Sequence, residues 1–495
     1  MTTGKIHDGV GIGKQRESRA LVIGGSLAGL LAARVLADHF DRVTVVERDT
    51  YPETAAARKG VPQANHVHAL LRRGQLILEK LFPGLQAEMM AAGAPVVDTG
   101  GDMAWLSPAG WGVRFDSDLP VLCFLRPLLD LHVRRRLAAD PRVRILAGTD
   151  VVGLAADERN RGVAGALVRA RDAGDATTAR ADVFLPADFV VDAAGRGSRA
   201  PRWLAELGYP PPPETIVNSF RGYASRLYRI PAGFKADWRC VFVQGAPPEG
   251  KRGGILFPVE GDRWLLTLIG AARDYPPGDE AGFLDFARSL RSPVIHDAIR
   301  DAEPLSPINS FRATENRLRQ FERTARTPEN FVAVGDSACA FNPVYGQGMT
   351  IAAMGAMALD ETFREQKSRR PAGDLDGLAR RFQRKLSRVN SAPWMLATSE
   401  DYRYRETEGG RPTRVTRFMH GYMDRVVQLS THDARVRRVL LENFHMLRRP
   451  GSLFSPFIVR RVLGHLLGAR RRTAPAHASP KGSRRLHAFE VPTRD

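Results

Sequence analysis

The patterns in this 495-residue chain whose spacing could do chemistry are built on glycine rather than on nucleophiles. Gly24-Gly25-Ser26-Leu27-Ala28-Gly29 follows the apolar run Ala20–Ile23 and opens a helical stretch. It reads G-x-G-x-x-G with Ser26 in the place of the second glycine. Gly24 would make the tight turn, Ser26 is small enough for a pyrophosphate to approach, and Gly29 lets helix and strand pack closely. A helix opening at Leu27 and Ala28 presents free N–H groups and a positive dipole end to phosphate. Glu47, followed by Arg48, ends the next β-branched run, about where a ribose-hydroxyl acceptor belongs. Together these residues predict a dinucleotide-binding strand–helix–strand unit.

Two more loops share that character. "DFVVDAAGRGSR" runs from an apolar stretch into Ala194, Gly195 and Gly197. "FVAVGDSACAFNPVYGQGMT", residues 331–350, passes through Gly335, Asp336, Pro343, Gly346, Gln347 and Gly348 before a helix starts near Met349. Glycine at such positions allows main chain to approach a ligand closely. Ligands of open parallel sheets sit at the carboxyl ends of the strands, so three such loops could meet around one ligand. His66 and His68 form an H-x-H pair, but no third metal ligand is apparent, and the pair reads as core or ligand-side histidine rather than a metal site.

The elements that must hold these loops change texture along the chain. Between the second and third loops, "TIVNSFRGYASRLYRI", "RCVFVQGA", "GGILFPVE" and "RWLLTLIGA" read as antiparallel strands, the last two joined by a two-residue turn, Gly261-Asp262. "YPPPPE" is a stiff entry to this sheet. A mostly apolar sheet over a ligand makes a pocket with few polar groups, and residues 65–122, with Trp105 and Trp111, are expected to complete its wall. From residue 366 the chain reads as helical. Phe454, Ile458, Val462 and Leu466 form one stripe that predicts a docking helix in preference to a membrane-surface one.

Composition fits a globular protein of roughly three domains' length, with 43% hydrophobic and 26% charged residues. Cys123, Cys240 and Cys339 lie far apart with no CxxC pair, which points to a reducing, cytoplasmic setting without disulfides or a zinc site. The net charge of +19 is mostly arginine spread along the chain, and no nucleic-acid-binding motif accompanies it. "ALVIGGSLAGLLAARVLAD" is too short and glycine-broken for a membrane span of ~20 apolar residues, and the strand after it argues against a signal peptide.

In the order and spacing of "VIGGSLAG…ERD", "VVDAAGRGSR" and "VAVGDSACAFNPVYGQGMT", the chain resembles the FAD-dependent monooxygenases of the para-hydroxybenzoate hydroxylase type over residues 18–365. "GVPQANHVHALL" and "NPVYGQGM" resemble most the squalene and polyether-polyene epoxidase branch. The resemblance implies an α/β fold: a Rossmann-like FAD-binding domain of the GR2 type, an antiparallel β-sheet substrate domain and a helical C-terminal region. It implies that Gly24, Ser26, Leu27, Ala28, Gly29, Glu47, Arg48 and Gly195 bind FAD, with Glu47 on the adenosine ribose. Arg126 would meet the pyrophosphate or ribityl chain, and Asp336 the ribityl hydroxyls. Pro343, Gly346, Gln347, Gly348 and Met349 would line the flavin ring. Ala194 stands where the second motif usually has aspartate, and Cys339 where the third often has histidine.

The expected order is a flexible N-terminus (1–17), FAD-binding segments (18–64, 123–208, 311–365), a pocket wall (65–122), a substrate domain (209–310), C-terminal helices (366–472) and a disordered tail (473–495). The expected function is insertion of one atom of O2, through a flavin C4a-hydroperoxide, into a hydrophobic substrate in secondary metabolism. NAD(P)H or a partner flavin reductase supplies the electrons. Epoxidation of an alkene is preferred because the pocket segments hold only three carboxylates, Asp102, Glu260 and Asp262, and phenol hydroxylation gains from a base. Aromatic hydroxylation, or a dehydrogenase or reductase of the same fold, is the alternative. No W-x-W-x-I-P stretch indicates a halogenase. No catalytic side chain is assigned, no nucleic acid is expected, and peripheral membrane contact is not favoured.

Overall fold

The computed structural model describes residues 17–158, 161–171, 181–370 and 374–469. The tail 473–495 lies outside the described residues, as does the N-terminus up to residue 16. The apolar, β-branched segments pair as a parallel sheet in the order Phe331–Ala333, Phe189–Asp192, Arg19–Ile23, Arg42–Val46, Val143–Leu146. The central strands are buried nearly throughout, as strands covered on both faces must be. The helices Leu27–Leu36 and Gly348–Arg369 pack together over this sheet, and one large core joins them. The first, second and third loops therefore leave three adjacent strands at the same edge.

A seven-stranded sheet forms the second body, in the order Asn309–Phe311, Gly222–Arg229, Arg263–Gly270, Arg252–Val259, Cys240–Val243, Met103–Ser107, Gly110–Trp111. Its alternation is strict. Ala224, Val241, Val243, Leu256, Leu266 and Leu268 enter a core under the helices Glu280–Arg288 and Val294–Ile299. Tyr223, Phe242, Ile255, Phe257, Thr267 and Ile269 point to the other face, which lines a cavity. The sheet departs from the expected antiparallel set in three ways. Met103–Ser107 joins it parallel to Cys240–Val243. "TIV" pairs instead with Asn316–Arg319, because the chain breaks at Phe220, whose φ is +49°. The turn before Arg263–Gly270 holds three residues, Glu260–Asp262, since Val259 pairs with Arg263.

The C-terminal helices are Leu378–Asp401, Arg414–Leu429, Ala434–Phe444 and Pro456–Ala469. Of the predicted stripe, Ile458 and Val462 are buried against Val426, Leu429 and Val436, while Phe454 and Leu466 remain exposed. Among the described residues no helix is long and apolar enough to cross a membrane, and all three cysteines are free and buried.

Candidate active site

One cavity of about 570 Å³ runs from the three loops to the apolar sheet face. Backbone geometry dictates glycine at its entrance. Gly24 has φ +99°, and a Cβ there would stand 2.5 Å from the Ala193 carbonyl oxygen. That contact locks the first loop to the second, and the Ala193 N–H donates to the Ile23 carbonyl at 2.8 Å. A Cβ on Gly29 would meet the Gly24 carbonyl oxygen at 1.8 Å, so Gly29 serves helix–strand packing and does not line the cavity. The third loop closes on the second through Ser337 Oγ, which accepts from the Gly195 N–H at 2.9 Å. The buried Asp192 carboxylate accepts from the Ala194 N–H and the Ser198 hydroxyl.

The cavity suits a dinucleotide cofactor. Gly195, Gly197 and Gly348 have open space where a Cβ would stand. In the helix Gly348–Arg369 the first internal bond from the end runs from the Ile351 N–H to the Gln347 carbonyl, at 2.9 Å. The N–H groups ahead of it project from the helix end, where Gly348 and Met349 line the cavity. Ser26, Leu27 and Ala28 occupy the same position at the first helix, whose Leu30 N–H bonds the Ser26 carbonyl. These ends would hold anionic groups of FAD.

Glu47 is buried with its carboxylate at the cavity. Oε2 accepts from the Gly25 N–H at 2.7 Å and pairs with Arg58 at 3.1 Å, while Oε1 accepts from the Asp49 N–H at 2.9 Å. A carboxylate offers about four acceptor sites, which leaves roughly one on Oε1 for a ribose hydroxyl. Arg48 is exposed at the rim. Arg126 begins the helix Arg126–Ala138, pairs with Asp130 at 2.7 Å and donates to Ser26 Oγ at 3.1 Å. Asp336 faces the cavity, where burial raises its carboxyl pKa against the pull of Arg196 and Arg126. Pro343 and Gly346 line the wall. Gln347 does not: its side chain is buried behind the loop with Oε1 unpaired.

The far half of the cavity is walled by Met103, Trp105, Phe242, Phe257, Phe311 and Phe444. Trp111 is not among these residues; it is 43% exposed on the edge strand. Cys339 sits in a buried strand and is not among the lining residues.

Three histidines also line the cavity, and their partners fix two of the tautomers. His68 Nδ1 lies 2.9 Å from the His66 carbonyl. A carbonyl only accepts, so Nδ1 carries the proton and Nε2 presents a lone pair. His445 Nδ1 accepts from the Arg72 N–H at 3.3 Å, so Nε2 carries the proton, 3.0 Å from Thr99 Oγ1. His66 Nδ1 meets Ser225 Oγ at 2.7 Å. Burial lowers His66 and His445 to about 4, and burial with Arg126 lowers His68 to about 3, so all three are neutral at pH 7.

Beneath the third loop lies a polar network that the sequence did not reveal. Asp401, fully buried on the helix Leu378–Asp401, accepts from Tyr345 Oη at 2.8 Å, Asn316 Nδ2 at 2.7 Å and Asn342 Nδ2 at 3.3 Å. Arg221 pairs with it at 3.2 Å. Tyr223, whose ring lines the cavity, donates to Asn342 Oδ1 at 2.7 Å. Arg58 and Arg196 also escaped the sequence reading. Arg196 donates to the Glu315 and Phe341 carbonyls and stands 3.6 Å from Asp336. The place of Arg196 between Gly195 and Gly197 was the one hint of it, and no local pattern marked Arg58.

No family model matches the chain. It is 32% identical to Protein Rv3254 of Mycobacterium tuberculosis over 455 residues, 91% of this chain and 94% of that one. It is 27% identical to kynurenine 3-monooxygenase of Salinispora arenicola over 362 residues, 70% and 72% of the two chains. Among solved structures, the flavin-dependent brominase Bmp2 is similar with a TM-score of 0.61 at 16% identity, covering 92% of this chain and all of that one. PqsL of P. aeruginosa in complex with 2-aminobenzoylacetate is similar with a TM-score of 0.56 at 19% identity, covering 78% and 97%. The chain thus belongs to one family with Protein Rv3254 and is an oxidoreductase of the FAD-dependent monooxygenase class.

Proposed function

We propose that the enzyme oxygenates a large, hydrophobic substrate at a carbon–carbon double bond, giving an epoxide. The observation carrying this reading is the continuity of one cavity from three backbone-lined loops to an apolar, aromatic sheet face. Bound FAD, once reduced by NAD(P)H or by a partner flavin reductase, would supply the activated oxygen. The loops would hold FAD through Glu47, Arg126, Asp336 and the N–H groups at Gly348 and Met349, and the sheet face would orient the substrate and exclude water. An alkene needs no protein base, and Asp102, Glu260 and Asp262 are all absent from the lining.

Aromatic hydroxylation is the second reading, favoured by the His68 Nε2 lone pair at the cavity, which would accept a hydrogen bond from a phenol hydroxyl rather than take its proton, since burial and Arg126 lower this histidine to about 3. The test reduces the enzyme and admits labelled O2 with polyenes or phenols, in the parent and in His68→Ala. Labelled epoxide formed equally by both proteins supports the first reading. Labelled catechol from the parent, with a large loss in His68→Ala, supports the second. Product without label overturns both.

A further inference from the structure

Large apolar side chains with high exposure are not scattered over this protein. Among the described residues, eight of fourteen fall between 395 and 467, a concentration that marks an interaction surface rather than ordinary surface scatter. The helix Arg414–Leu429 explains part of it. Val415, Phe418, Tyr422, Val426 and Leu429 recur at helical spacing and form one apolar stripe. Its C-terminal half is covered: Val426 and Leu429 pack on Val436, Ile458 and Val462, and the Tyr422 ring stacks on Phe454 at 4.9 Å. Its N-terminal half is not. Val415 is 71% and Phe418 73% exposed. The packed neighbour Pro456–Ala469 carries a second uncovered set, Leu463, Leu466 and Leu467.

Charge selects the occupant. Between residues 401 and 467 there are thirteen arginines and six carboxylates. Arg411, Arg414 and Arg417 surround Val415 and Phe418, are exposed, and form no ion pair among the described residues. Asp424, the one carboxylate on that helix, is already held by Arg403 at 3.0 Å. Arg414 opens the helix beside the exposed half of the stripe, and Arg425 lies beside its covered half. A second copy of the chain would bring the same excess of positive charge to this face, and like charge opposes that contact. An apolar strip edged by unpaired arginines matches the boundary of an anionic bilayer, where side-chain stems and rings enter the acyl region and guanidinium groups meet phosphate.

We infer that this helical face docks the enzyme onto anionic lipid, with Val415 and Phe418 inserted. The contact is independent of the substrate reading above. The test uses the full chain with vesicles of phosphatidylcholine, with and without phosphatidylglycerol. Parent protein is expected to co-sediment with the anionic vesicles and to be released by salt. Val415→Ser/Phe418→Ser is expected to bind roughly tenfold more weakly, with unchanged flavin absorbance and circular dichroism. Three results overturn the inference: no binding by the parent, equal binding by the variant, which would assign lipid contact to arginines elsewhere, or a dimeric parent that the variant renders monomeric.

Discussion

Removing the Asp401 carboxylate tests whether the C-terminal helices hold the cofactor loop in place. Asp401→Ala deletes the acceptor shared by Tyr345, Asn316 and Asn342 and leaves the Arg221 guanidinium, only 10% exposed, without its counter-ion. Breaking a buried ion pair from one side costs about 3–5 kcal/mol, much of it from the charge left behind. In the intact network, burial pulls the Arg221 pKa down, but Tyr345 and Asp401 outweigh it and the net direction is up. The guanidinium therefore depends in part on Asp401, which the variant removes. The loop residues that lose their anchor, Asn342 and Tyr345, bracket Pro343, so FAD retention should fall along with stability.

The assays are denaturant unfolding and FAD release on dilution, applied to Asp401→Ala and to the cycle of Asp401→Leu, Arg221→Met and Asp401→Leu/Arg221→Met. An apolar pair of similar volume leaves no unpaired charge, so the double variant should cost less than the sum of the single ones by about 2 kcal/mol or more. Single losses that add to within about 0.5 kcal/mol would show that the two groups are uncoupled. A loss below about 1 kcal/mol in Asp401→Ala would refute the reasoning outright, because a charge-assisted bond alone contributes about 1.5–3 kcal/mol.

Two further outcomes are expected. Asp336→Ala removes a carboxylate facing the cavity and should weaken FAD retention by about 1.5–3 kcal/mol, measured by equilibrium dialysis of the oxidised holoenzyme; unchanged retention would place the third loop away from the cofactor. His66 is buried neutral, with a folded value of about 4 against an ordinary 6.5. The unfolded chain therefore binds the extra proton first, and the stability tied to this residue, fully present above about pH 6.5, is lost as pH falls toward 4. His66→Phe should flatten the acid side of the stability profile by roughly 2–4 kcal/mol, read from urea unfolding across that range.

What could be read from the sequence was whatever the backbone does locally. Gly24, Gly195, Gly335 and Gly346 all take positive φ, a requirement that only glycine meets cheaply, so each loop carries its own signature within a few residues. The two sheets followed from period-two and continuous apolar runs. Gln347 was misplaced because a helix start cannot be fixed to one residue from pattern, and Trp111 because an edge strand looks the same whether its large residue faces in or out. The Asp401 network was invisible for a different reason. Its members come from residues 221, 316, 342, 345 and 401, and no local pattern links side chains so far apart in the chain. Histidine roles depended on the same long-range information, since a tautomer is set by the partner and not by the H-x-H spacing.

That division also bears on how the same fold is shared with Bmp2 at 16% identity. On the proposed cofactor side the contacts would be glycine positions, helix ends and a few acceptors, and main-chain N–H groups are the same whatever residue bears them. On the substrate side the strands keep their ladder hydrogen bonds regardless of side chain, so Phe242, Ile255, Phe257 and Ile269 can be exchanged without disturbing register. Their alternate neighbours, Val241, Leu256 and Leu268, cannot, because they fill the core behind the sheet. A change of side chain on the cavity face of these three strands therefore leaves the backbone pairing in place, although Phe257 also packs in a core of its own, with Ile255 against it. On the proposed reading, a preference for an alkene over a phenol would rest on this apolar, aromatic wall and not on the loops that would hold the flavin.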